Sequence, residues 1–147
     1  MKANELMIGD WVRIDEPDKY AGATGQIQSL MYHREGDAAY FHVFIQGKFG
    51  YVLIDVCSDD IRPIPLEKIH LTKNGFKPVD EDDRDFIFSA GYRIEIVFDD
   101  GIPQMSIPPT VYMTIEFADK EIDMPIEYIH ELQQAMRVMG CDKEIEL

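Results

Sequence analysis

The chain is 147 residues long, 46% hydrophobic and 11% aromatic, with 14 basic residues against 28 acidic ones and a formal charge of −14. That length and composition describe one compact domain or two very small ones, able to bury about 68–70% of the unfolded surface, and exclude a disordered tail. No apolar run exceeds four residues, as in Tyr51 to Ile54, whereas a membrane span needs about 20 and a signal-peptide core about 7–15, so neither is expected.

Read in chain order, residues 4–14 are a short turn leading into a strand. Gly9-Asp10 supplies the turn, and Trp11, Val12 and Ile14 are good strand formers. After a polar loop with Pro17, Thr24 to His33 alternate, with Ile27, Ser29 and Met31 on one face and Gln26, Gln28 and Leu30 on the other. Arg34 to Asp37 carry turn chemistry, Ala39 to Gln46 form the returning strand, and Tyr51 to Cys57 form another. Ile61 to Ile64 is a last short extended piece. From Leu66 the period lengthens: Leu66, Ile69 and Leu71 predict a short helix closed by Asn74-Gly75 in a left-handed cap.

The acidic run Asp80 to Asp85 is a solvated loop. Phe86 to Ser89, Tyr92 to Phe98 and Val111 to Phe117 are strand-like, with a hairpin turn at Asp99-Asp100-Gly101 and an interruption at Pro108-Pro109. The last helix is capped by Asp123 or Met124, has Pro125 in its first turn and ends at Gly140. Ile129, Leu132, Met136 and Met139 make its apolar face, and Gln133 and Gln134 fall nearer the polar side. Glu144 to Leu147 alternate like a short final strand. The whole is α+β: a β-rich part at 1–65, then an α+β part at 66–147 with a linking helix, a strand hairpin and a terminal helix.

Two resemblances follow from particular residues. Gly9-Asp10-Trp11-Val12-Arg13-Ile14, followed by Tyr20-Ala21-Gly22-Ala23-Thr24-Gly25-Gln26-Ile27, resembles the KOW pattern of small SH3-like β-barrels. The resemblance implies a barrel in which Gly25 starts a sharply turning strand with no room for a β-carbon. In ribosomal and transcription proteins that module touches RNA or protein, but here its loop carries Asp15, Glu16 and Asp18 against Lys19 alone. A wider resemblance rests on Ala3-Asn4-Glu5-Leu6-Met7-Ile8-Gly9-Asp10-Trp11-Val12, on Pro63-Ile64-Pro65-Leu66 with Asn74-Gly75-Phe76, and on Ile126-Glu127-Tyr128-Ile129-His130-Glu131-Leu132-Gln133. These look like a family of small uncharacterised Bacteroidetes proteins found in phage-like or mobile elements. The family's tails commonly read Tyr-Val-His-Gln-Leu-Gln-Asn, from which this chain departs at Glu131 and Gln134. The resemblance implies context and architecture, not a mechanism.

Candidate chemistry is sparse. Phosphate binding draws on Lys and Arg patches, and the nearest to one is the scatter of Lys68, Lys73 and Lys77, so no direct nucleic-acid binding is expected. The acidic excess is 10 against 6 in residues 1–66 and 18 against 8 in residues 67–147, which serves solubility first and recognition of a basic partner or mimicry of nucleic acid second. Cys57 and Cys141 form no C-x-x-C and read as reduced thiols of a cytoplasmic protein. The histidines are His33, His42, His70 and His130. If His33 pairs with Ala39, His42 opposes Leu30 and the two histidines face opposite sides, whereas a one-residue slip brings them together. No zinc motif appears, so no metal or cofactor is expected. The acidic run fails as a calcium loop, with Asp85 at position six and Gly91 at position twelve. Cys57 with His70 carries no nucleophile signature, and no phosphate loop or nucleophile elbow exists.

The sequence therefore points to a non-enzymatic interaction protein with an unknown protein partner, using Tyr20, Tyr40 and Phe49 as exposed aromatic anchors, with Trp11 expected in the core. Regulation of nucleic-acid machinery, through the KOW-like part or by acidic mimicry, is the alternative; a small hydrolase is a weaker one.

Overall fold

Among the described residues burial with a period of two runs through most strands, and the strands assemble into two antiparallel five-stranded sheets accompanied by two short α-helices. The structure is a computed structural model that describes residues 6–16, 18–32, 39–47, 50–79, 82, 84–89, 93–101, 109–117, 120–141 and 143–147. The fold is α+β. The chain divides into two compact units, Met1–Ile64 with Tyr128–Gln134 and Pro65–Glu127 with Ala135–Leu147.

In the first unit, β1 (Trp11–Ile14), β2 (Thr24–Tyr32), β3 (Ala39–Gly47), β4 (Gly50–Cys57) and β5 (Ile61–Pro63) lie in the order β4-β3-β2-β1-β5. Short 3-10 turns at Asp18–Tyr20 and Ser58–Asp60 precede β2 and β5. Cross-strand register explains the core. Val12 faces Gly25, which faces Ile45; Ile27 faces Val43, which faces Ile54; Phe41 faces Val56; and Ile14 faces Ile61. Each of these side chains is buried in one cluster, to which Ala39 also belongs. β-branched residues dominate because they pack well on a pleated surface.

Gly25 is required by close approach, not by its backbone angles. A Cβ there would stand 2.6 Å from Ile45 Cγ2, 2.7 Å from Val43 Cγ1 and 2.8 Å from the Phe44 carbonyl oxygen. The sheet does not close into a barrel: β4 and β5 remain its two edges. β5 has three residues and ends on Pro63, which has no N–H to extend a ladder.

In the second unit, α1 (Lys68–Lys73) is followed by β6 (Lys77–Pro78), β7 (Asp85–Ser89), β8 (Arg93–Asp99), β9 (Thr110–Phe117) and β10 (Lys120–Pro125), in the order β10-β9-β8-β7-β6. One row of partners, Pro78, Phe86, Ile96, Met113 and Met124, crosses all five strands. Phe86, Ile96 and Met113 in its middle are buried. The rings of Phe76 and Phe88 lie 5.1 Å apart, and those of Phe86 and Phe98 meet edge to face at 6.0 Å. The last helix, α2, spans Ile129–Val138.

Both helices end as their glycines dictate. Gly75 and Gly140 have φ of +81° and +74°. After α1 the Phe76 and Gly75 N–H groups reach back to Leu71 and Thr72; after α2 those of Cys141 and Gly140 reach Met136 and Arg137. These paired bonds satisfy carbonyls that a helix end otherwise leaves open.

Several local expectations change. Lys120–Pro125 is a strand, so Pro125 ends β10 instead of opening α2; Ile122 and Met124 are held opposite Ile115 and Met113. Glu131 Oε2 accepts the Tyr128 N–H at 3.1 Å and takes over the capping role assigned to Asp123 or Met124. α1 starts at Lys68, after Leu66, and Ile69 is exposed. Residues 144–147 form no strand, yet Ile145 is buried. There the Asn74 side-chain amide takes the place of a strand partner, donating to the Glu146 carbonyl and accepting its N–H, each at 2.8 Å.

Gln133 is the largest departure. The residue is 2% exposed, and its amide accepts the Trp11 N–H at 3.0 Å and donates to the Gly9 carbonyl at 3.2 Å. Gln134 Nε2 donates to buried Asp10 Oδ2 at 2.6 Å. Neither glutamine lies on a polar face as its spacing suggests, because the backbone entering β1 offers Gln133 groups that need partners and the buried Asp10 carboxylate accepts from Gln134.

Candidate functional site

A strand sends alternate side chains to opposite faces, so the filled core of the first sheet leaves a second face to account for. Three cross-strand rows lie on it: Trp11, Gln26, Phe44 and Leu53; Ser29, His42 and Asp55; and Met31, Tyr40 and Cys57. At the β3–β4 side this face is apolar and open. Phe44, Tyr51 and Leu53 are 36%, 65% and 53% exposed, and the Phe44 and Tyr51 rings stack at 4.7 Å with 11° between their planes.

The middle row is polar. Ser29 Oγ lies 2.7 Å from His42 Nδ1, and His42 Nε2 lies 3.0 Å from Asp55 Oδ1. Donation from Nε2–H to the carboxylate leaves Nδ1 to accept the serine hydroxyl proton. These are the residue types of a hydrolytic triad, but the Asp55 side chain is 67% exposed and the row lies on an open sheet face. Nucleophilic catalysis also needs donors aimed at a developing oxyanion, and Ser29 sits within β2. The row is a ladder of polar cross-strand contacts.

A bulge makes the row possible. Ile27 pairs with Val43 and Ser29 with His42, so one extra residue, Gln28, stands on β2. His42 therefore opposes Ser29, not Leu30, and beyond the bulge the faces of β2 exchange. His33, and with it the pairing of the two histidines, lies outside the described residues.

The expected aromatic anchors divide. Tyr40 is half-buried on this outer face, in the third row. Tyr20 is half-buried and packs against the core cluster instead, with Lys19 Nζ 5.1 Å from its ring centre. Phe49 lies outside the described residues. Trp11 is half-buried at the end of the first row. The expected anchors do not include Phe44, Tyr51 and Leu53, although the sequence carries a signal for them. In a run such as Tyr51 to Ile54, four consecutive apolar residues cannot all face one core.

Among the described residues no group of three or more His, Cys, Asp or Glu is placed to hold a metal ion, and Cys57 and Cys141 are free thiols. A concavity of about 320 Å³ in the second unit is lined in part by Gly75, Lys77, Val79 and Phe88. No described helix is long and apolar enough to cross a membrane. No family model, curated protein or solved structure matches the chain.

Proposed function

We propose that this chain is a non-enzymatic protein-interaction module that engages its partner on the outer face of the first sheet, around Phe44, Tyr51 and Leu53. The observation that carries the reading is an adjoining set of exposed apolar side chains on the face opposite a complete core. Contiguous apolar exposure of this kind marks interaction surfaces, and aromatic rings supply large contact area at low entropy cost. The meander β4-β3-β2-β1-β5, with a 3-10 turn leading into β5, supports placing the unit with SH3-like, KOW-like modules opened along one seam. A charge of −14 favours protein over nucleic acid as the ligand of such a module. The second reading is regulation of nucleic-acid machinery, supported by the same strand order.

The opening and tail segments that resemble the mobile-element family are tied together by Gln133 and Gln134 at Gly9, Asp10 and Trp11. Those tail glutamines act in folding, and the partner surface lies elsewhere. A photoreactive benzophenone amino acid in place of Tyr51 tests the reading in the native host. A discrete adduct is expected from Tyr51 and not from exposed Val79, and Phe44→Asp should abolish it. Equal labelling from both positions refutes the proposal.

A further inference from the structure

Each open sheet has two edges, and an edge strand presents unpaired backbone groups that proteins ordinarily blunt by shortness, charge or proline. Three of the four edges here are blunted. β5 has three residues, Arg62 and a terminal Pro63; β6 is Lys77–Pro78 alone; and β10 carries Glu121 and Asp123 and ends at Pro125. β4 is not. It runs for eight residues, Gly50–Cys57, with no proline or lysine and a single charge, Asp55, already engaged by His42.

The alternation of an antiparallel ladder identifies which groups are open. Gly47 pairs with Gly50 where β3 meets β4. Counting from that closing hydrogen-bonded pair, the N–H and C=O groups of Tyr51, Leu53, Asp55 and Cys57 turn to the free side. Tyr51 and Leu53 are the exposed residues of the apolar face, so open backbone and exposed side chains coincide on one strand.

We propose that β4 accepts an added strand from a partner protein, an extended segment that alternates apolar and basic side chains. The proposal rests on the interaction reading above and specifies its mode. Backbone bonds to an edge supply affinity, and alternate side chains supply selectivity. Charge selects the basic partner. Asp55, Asp59 and Asp60 lie along and beyond β4, no Lys or Arg occurs from Gly50 to Ile61, and Arg62 is paired with Asp15 at 3.1 Å. The open Phe44–Tyr51 stack offers aromatic faces that attract cations. A second copy of this chain would bring another −14, which opposes self-pairing.

The test uses the full chain and labelled synthetic octapeptides, read by fluorescence anisotropy. An alternating Val-Lys peptide is expected to bind, and an alternating Val-Glu peptide is not. N-methylation of alternate amides along one edge of the Val-Lys peptide should weaken binding by about tenfold or more, and Asp55→Lys should weaken the unmodified peptide similarly. Equal affinity for the N-methylated peptide overturns strand addition while leaving the sheet-face interaction standing. Failure of the Val-Lys peptide to bind overturns the proposal, and a dimer in sedimentation then names a second copy as the occupant. The photo-crosslink from Tyr51 reports on the parent reading independently of either result.

Discussion

Replacing Gln133 by alanine probes the contact that the helical spacing conceals. Gln133 is 2% exposed, and its side-chain amide holds both the Trp11 N–H, at 3.0 Å, and the Gly9 carbonyl, at 3.2 Å. Truncation strands one donor and one acceptor, at about 1–3 kcal/mol each when water cannot replace the lost partner. Gly9 and Trp11 are half-buried, so water recovers part of this, and alanine returns a few tenths of a kcal/mol in helix propensity. The net loss is about 2–4 kcal/mol. Gln133→Glu should lose at least as much, because a carboxylate cannot donate to the Gly9 carbonyl and brings a charge into a closed site. Trp11 is the only tryptophan and is itself one of the clamped residues, so its emission during urea denaturation reports the affected region. With an m-value of about 2 kcal/mol/M the midpoint should fall by about 1–2 M. Val138, 82% exposed on the same helix, is the control, and Val138→Ala should stay within about 0.5 kcal/mol. Equal midpoints for Gln133→Ala and Val138→Ala would refute the clamp and return Gln133 to the polar face.

Four further outcomes are expected. Gly25→Val should destabilise by about 1–3 kcal/mol or more, because its branched side chain must displace Ile45, Val43 and the Phe44 carbonyl; an unchanged thermal midpoint contradicts the close approach. Leu132→Ala should lose about 2–5 kcal/mol in chemical denaturation, since Leu132 is 1% exposed on α2, and a loss under 1 kcal/mol would deny its burial. Burial lowers the His70 pKa from 6.5, with Glu67 opposing and Lys73 assisting. The neutral ring is therefore favoured in the folded state, so its contribution to stability is complete above pH 6.5 and is lost as pH falls below it. Protonation also ends acceptance of the Glu67 N–H by Nδ1, and His70→Gln should flatten the stability–pH curve just below 6.5 relative to the parent. Duplex DNA should not bind at physiological salt, given the charge of −14, and salt-sensitive binding in an anisotropy titration would count against the protein-partner reading.

Local rules made much of this protein legible. Runs of strand-forming residues between turn signals located most strands, Asn74-Gly75 and Gly140 marked the helix ends, and Ile129, Leu132 and Met136 announced the buried face of α2. Asp99-Asp100-Gly101, expected as a hairpin turn, ends β8 without closing a tight hairpin, since Asp99 pairs with Thr110; Gly101 has φ of +69° and donates to Asp99 Oδ1. These signals are local because each depends on the conformation of a few neighbouring residues. The open form of the first sheet, the bulge at Gln28, the strand assignment of Lys120–Pro125 and the buried role of Gln133 depend on partners distant in sequence. So does the candidate site. The residues of Tyr51 to Ile54 read alike as apolar strand formers, and only their register against β3 decides that Ile54 enters the core while Tyr51 and Leu53 face outward. A shift of one residue would exchange those faces, because a strand's side-chain period is two and its backbone pairing does not distinguish one face from the other.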